Sequence, residues 1–268
     1  MTAMTAMAGM LPMASESVPG RRLERLVLAL DSAIDDGQRL RLAARLAARL
    51  EVELSGLFVE DIALHRLADL PIAIEVSLLA AQSRTLASSE LERRLRVQAA
   101  RLEAALGAAA QAAGVPWSFR ALRGRPIREA LTSATERDLV LVAGAGRYPL
   151  TGRGRAVGPV AVIFDASSAG TAALAIAARV ARLEARRLLV LVVGADTDSA
   201  ALLERARFEL GTTPLQADYL LLGGGQLLEA LTVAARVHAE LLVTDLQRIA
   251  AAQARTLEGA PCAIAVVR

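Results

Sequence analysis

The sequence predicts an α/β protein made of two tandem doubly wound, flavodoxin-like (Rossmann-like) parallel-sheet units. Three observations predict it. Apolar runs of strand length alternate with longer Ala- and Leu-rich stretches of helical period, which is the pattern of successive βα units. The strand candidates are continuous apolar runs, as parallel strands covered on both faces must be. The whole pattern then occurs twice along the chain.

The repeat is legible residue by residue. Leu26 to Asp31 (LVLALD) returns as Val160 to Asp165 (VAVIFD), an offset of 134. The same offset carries Leu42-Ala43-Ala44-Arg45-Leu46-Ala47 onto Ile176-Ala177-Ala178-Arg179-Val180-Ala181, and Val59 onto Val193. Further on, Glu129-Ala130-Leu131-Thr132 returns as Glu229-Ala230-Leu231-Thr232 behind Gly124 and Gly224, with the offset reduced to 100. The second copy has therefore lost material between its second and third strands. Self-similarity at this scale decides architecture before any single element does.

In the first copy, strands are expected at 24–31, 52–59, 117–123 and 138–143, and helices at 35–50, 89–113 and 127–136. Ser89 with Glu92 reads as a capping box for the long helix, and Gly114 with Pro116 ends it. In the second copy, strands are expected at 159–165, 187–193, 217–222, 240–244 and 262–267. The first copy lacks a fourth helix and a fifth strand of its own. The expected organisation is a tail over 1–21, a first unit over 22–157 and a second over 158–268, forming two parallel sheets. The outer edge of the closing strand needs a cover from another element or chain.

Composition removes several functions. Lys is absent, so there is no Walker A Lys, Schiff-base Lys or kinase strand Lys. One Cys and two His provide no internal disulfide and no zinc set; Cys262 reads as a buried core thiol. Aromatics at 3% and a net charge of +3 argue against nucleic acid as partner. The helical arginines Arg41, Arg45 and Arg49 read as a solvated face. All five Met residues fall in the first thirteen positions. That segment has no basic flank before an apolar run, so it is read as a disordered tail rather than a secretory signal. No stretch is apolar and long enough to span a membrane, and a cytoplasmic location is expected.

With the first strand ending in Asp31, the Ala-rich helix, the second strand Leu57-Phe58-Val59-Glu60 and the closing Ala260-Pro261-Cys262-Ala263-Ile264-Ala265-Val266-Val267-Arg268, the chain resembles the universal stress proteins. The likeness runs from about residue 22 onward. It implies an adenine nucleotide alpha hydrolase-like fold and pairing of the two copies within one chain. It also implies an ATP- or AMP-type ligand held by a Gly-rich loop after the fourth strand. Backbone N–H groups of such a loop, ahead of a helix N-terminus, cradle phosphates, at the switch point where such sheets bind ligands.

On this resemblance Asp31 and Asp165 stand near the adenosine part, and the backbones of Val59 and Val193 near adenine. In the first copy the loop is Gly144-Ala145-Gly146-Arg147-Tyr148-Pro149-Leu150-Thr151-Gly152-Arg153-Gly154-Arg155. The family pattern, Gly-x-x-Gly, nine residues, then Gly-Ser or Gly-Thr, is broken there. The candidate binding set is Asp31, Val59, Gly144, Gly146, Arg147, Gly152 and Gly154, alternatively a flexible basic linker. The second copy has Thr244-Asp245-Leu246-Gln247-Arg248 and no Gly until Gly259, and Asp165 reads there as an ordinary helix cap.

No catalytic constellation is found. The expected function is a non-enzymatic, stress-related regulatory or binding module with eroded nucleotide sites, with no cofactor assigned unless ATP or another adenine nucleotide. The first rival is an adenine-nucleotide binding protein with one site in the first copy. A more distant rival is a small NAD-dependent oxidoreductase using Leu139 to Arg147, which lacks the third Gly and meets Pro149 where a helix should start. The apolar insertion Ile62 to Leu86 reads as a satellite core against the long helix, a lid, or a patch for a protein partner. His65 reads as a rim residue, His238 shows no partner, and a homodimer is left open.

Overall fold

The computed structural model describes residues 22–30, 37–70, 74–77, 82–85, 88–143, 158–194, 199–211, 214–224, 227–251, 256–257 and 259–268. The first half runs β1 (Arg25–Leu30), α1 (Gly37–Leu50), β2 (Glu53–Asp61), α2 (Ile62–Ala68), β3 (Ile74–Ser77), β4 (Gln82–Thr85), α3 (Ser88–Ala113), β5 (Trp117–Gly124), α4 (Pro126–Ser133) and β6 (Asp138–Ala143). The second runs β7 (Val160–Phe164), α5 (Ser168–Leu183), β8 (Leu188–Val193), α6 (Ser199–Leu210), β9 (Ala217–Leu222), α7 (Leu227–Arg236), β10 (Leu241–Asp245), α8 (Leu246–Ala251) and β11 (Ala263–Val267).

Eleven of these elements lie where periodicity puts them, within two residues, because strand and helix share one rule here. Each strand is a run of branched or long aliphatic residues, and each helix alternates Ala and Leu inward with Arg and Glu outward. Val27, Val59, Ile163 and Leu242 fill one face of the sheet beneath α4, α7 and α8. Leu26, Phe58, Phe164 and Val243 fill the other beneath α1, α3, α5 and α6.

The expectation of two separate sheets is corrected. Among the described residues, nine strands form one sheet in the order β5-β2-β1-β6-β11-β10-β7-β8-β9. Within each half every pairing of this sheet is parallel. The halves join where β11 runs antiparallel to β6, from Ala263 opposite Ala143 to Val267 opposite Leu139. The physical reason is edge cover: among the described residues no strand of the first half lies beyond β6, and β11 has an open edge of its own, so each covers the other. The closing strand is thus covered as required, by an element of the same chain. The Arg268 guanidinium continues the seam by donating to the Ala134 carbonyl.

Two further local readings change. The long helix starts at Ser88, whose hydroxyl lies 3.0 Å from Asp69 Oδ1, and Glu92 faces Arg123 at 3.0 Å instead of closing a capping box with Ser89. The insertion contains α2 and the β3–β4 hairpin. Leu64 packs on the core as a satellite would, but Ile62, Leu67 and Leu70 are exposed.

Candidate functional site

The strand order creates two switch points, one at the carboxyl ends of β1 and β6 and one at the carboxyl ends of β7 and β10. Consecutive βα crossovers leave in opposite directions there, which opens a crevice. In the first half, Asp31, Gly144, Gly146, Arg147, Gly152 and Gly154 lie outside the described residues. Val59 is described: it is fully buried in β2 and pairs with Leu122 of β5. Arg39, in the first turn of α1 beside this crevice, is 3% exposed. Sequence reading missed it, because one Arg among many on a helix gives no signal of burial.

In the second crevice the described residues bring three charged groups together. Asp165 follows β7, Asp245 ends β10, and Arg248 in the first turn of α8 reaches both. Its Nε lies 2.9 Å from Asp245 Oδ2, and its Nη2 donates to Asp165 Oδ2. The Arg248 backbone N–H also donates to Asp245 Oδ1 at 3.0 Å. The short α8 therefore begins on the very carboxylate that its third residue pairs with. Asp245 and Arg248 side chains are 5% and 16% exposed, so this guanidinium fills the crevice rather than fringing it.

Asp165 is not the helix cap. Ser167 caps α5, its Oγ accepting from the Gly170 N–H at 3.0 Å, and the same hydroxyl donates to Asp165 Oδ1 at 2.6 Å. Burial pushes the Asp165 carboxyl up, but the Ser167 hydroxyl and N–H and the Arg248 charge outweigh it and hold the group below the usual carboxylate range. The second crevice thus keeps its carboxylate and matches it with an internal cation. The signal in sequence was Asp245 three residues before Arg248, which brings the pair onto one helical turn. Its third member, Asp165, is far off in the chain.

A separate cluster lies at the carboxyl ends of β2 and β5. Glu60 Oε2 meets His65 Nε2 at 3.1 Å and Arg123 Nε at 3.0 Å, and Arg123 continues to Glu92. His65, read from sequence as a rim residue, has a carboxylate partner in Glu60 and a side chain only 14% exposed. Val193 is half-buried against the α7 face. Burial pushes the Cys262 thiol up to about 12, which keeps it protonated and unreactive. Among the described residues, no cluster of His, Cys, Asp and Glu has the makings of a metal site. No described helix is long and apolar enough to cross a membrane.

The fold is that of the universal stress proteins. A universal stress protein from Archaeoglobus fulgidus DSM 4304 is similar over 91% of this chain and 96% of its own, at 15% identity and a TM-score of 0.56. Two solved structures at 14% identity lie further off. A functionally unknown protein, PA1789, from Pseudomonas aeruginosa PAO1 matches over 94% of each chain with a TM-score of 0.46. The cytoplasmic domain of a prokaryotic cation chloride cotransporter matches over 91% of this chain and 95% of its own, with a TM-score of 0.45. No family model matches the sequence, and no curated protein does.

Proposed function

We propose that this chain is a non-enzymatic, universal-stress-like regulatory or binding module of the cytoplasm with eroded nucleotide sites. The observation that carries the reading is Arg248. A guanidinium paired to both Asp165 and Asp245 stands in the crevice where a nucleotide of the family type would enter, and that half has no Gly-rich turn after β10. Displacing it would take the cation from both carboxylates, which is costly above all for the nearly buried Asp245. A ligand bearing phosphates would bring further negative charge to the same place. The residues of the second half do not fit a nucleotide.

The exposed Ile62, Leu67 and Leu70 of the insertion support a protein partner as the object of the module. Calorimetric titration of the full chain with ATP at low and moderate ionic strength, with native mass spectrometry of the purified protein, tests the reading. Weak binding that fades with salt is expected, since exposed guanidinium–phosphate contacts are screened. Salt-insensitive, sub-micromolar binding that Asp31→Ala and Gly146→Val each abolish would replace this reading with an adenine-nucleotide binding protein. A bound dinucleotide would point to an oxidoreductase.

A further inference from the structure

The two ends of the nine-stranded sheet are the third strands of the two halves, β5 and β9. They match position for position at the offset of 100: Phe119 with Tyr219, Arg120 with Leu220, Arg123 with Gly223 and Gly124 with Gly224. An open edge strand presents unpaired N–H and C=O groups, and charged side chains are the usual guard against pairing with another chain. β5 carries that guard in Arg120, while its Arg123 is engaged by Glu60 and Glu92. β9 has Leu220 where β5 has Arg120. Its one charged residue, Asp218, is already neutralised by Arg187 at 3.1 Å. Both strands are otherwise similarly exposed, so the difference lies in sequence rather than in cover.

What replaces the guard is apolar on both flanks. Leu220 and Leu221 are 41% and 47% exposed, Leu228 of α7 is 61% exposed and Phe208 of α6 is 82% exposed. α6 is tied to the edge, since Arg207 stacks over the Tyr219 ring at 5.4 Å. A neutral, leucine-rich edge with large apolar groups beside it suits an extended, uncharged strand.

We propose that β9 is an interface for β9 of a second copy of this chain, the two sheets joining antiparallel about a two-fold axis. Charge selects this occupant. Pairing β9 with β5 of a neighbour would lay the charged Arg120 against the leucines of β9 and would be a head-to-tail contact, which builds rings or filaments rather than closing after two copies. Pairing β9 with β9 meets no unpaired charge and closes after two copies. The antiparallel geometry is the one that joins β6 to β11 inside the chain. This goes beyond the proposed binding role and does not depend on it.

The test is sedimentation equilibrium of the full chain with hydrogen exchange on β9. The chain of 28.1 kDa is expected at twice that mass, with the outward-facing amides of β9, those not bonded to β8, protected. Leu220→Arg restores the guard of the first half and should shift the mass to the monomer and release those amides, while Arg120→Ala on the opposite edge leaves the dimer intact. Leu221→Glu is the second variant, with far-UV circular dichroism showing that each remains folded. A wild-type monomer at tens of micromolar overturns the proposal. So does a dimer that survives both folded β9 variants, or an open-ended series of oligomers.

Discussion

Arg45 and Arg179 are reciprocal partners across the middle of the molecule. They occupy the same position in the two copies, and each reaches the same position in the other half. Arg45 Nε lies 3.2 Å from Glu184 Oε2, and Arg179 Nη2 donates to the Leu50 carbonyl at 2.9 Å. Residues 50 and 184 are themselves related by the offset of 134. This is the mark of a two-fold contact, in which i meets j and j meets i, preserved within one chain. The symmetry is broken in chemistry: one arginine finds a carboxylate, the other a carbonyl. Arg45 also reaches Glu240 at 2.7 Å, beside the buried Arg186. It is a hub between the halves and not part of a solvated face, which corrects the reading from sequence.

The two arginines should therefore differ in worth. Arg45→Met leaves two nearly buried carboxylates short of a partner and should cost about 3 kcal/mol. Arg179→Met removes one charge-assisted bond to a backbone acceptor and should cost about 1.5 kcal/mol. Urea denaturation of both variants measures the difference. Equal losses would mean that the carboxylate cluster adds nothing.

Asp138 should make the fold acid-sensitive. Burial pushes its carboxyl up, but Arg25 at 2.7 Å and the Thr135 N–H and hydroxyl pull it further down, so the net direction is below the usual range. A depressed carboxylate stabilises the fold above its unfolded pKa, near 4, and that stability is lost as pH falls through the lower folded value. The thermal midpoint should drop below about pH 4. Asp138→Asn should be less stable at neutral pH and should flatten the drop.

Thr244 predicts a gain. Its Oγ1 is fully buried and has no hydrogen-bond partner among the described residues. Thr244→Val keeps the shape and removes the stranded hydroxyl, so stability should rise by about 1 kcal/mol. A loss in chemical denaturation would reveal a partner for the hydroxyl.

Arg248→Met should raise the Asp165 carboxyl, since the Arg248 charge is one of the groups holding it down. Carbon-13 NMR of the Asp165 side chain through an acid titration reads this directly. An unmoved titration would assign the whole effect to Ser167.

Strand and helix positions were legible because each rests on local periodicity, and the repeat doubled every such signal. The joining of the halves was not. β6 and β11 are both runs of branched aliphatic residues, and nothing in Val140 or Val266 says which edge it will meet. Among the site residues, Asp165 was visible as a strand-ending carboxylate, but its role depends on Arg248 from an element that the periodicity hardly marks. Arg39 and Arg45 were hidden for the opposite reason: a chain whose helices are full of arginine gives no hint of which one is buried, as Arg39 is, and which one ties the halves together, as Arg45 does.

The seam between β6 and β11 has a consequence for synthesis. Chains fold from the N-terminal side as they emerge, at about 5–20 residues per second. β6 is made early, yet the strand that pairs with its outer edge is β11, residues 263–267. For most of translation the nascent first half carries an unpaired, fully apolar border made of Leu139 to Val142. Closing it is a single late event of high sequence separation, slow by nature. During that interval, a holdase or a neighbouring nascent chain has its best access to this protein.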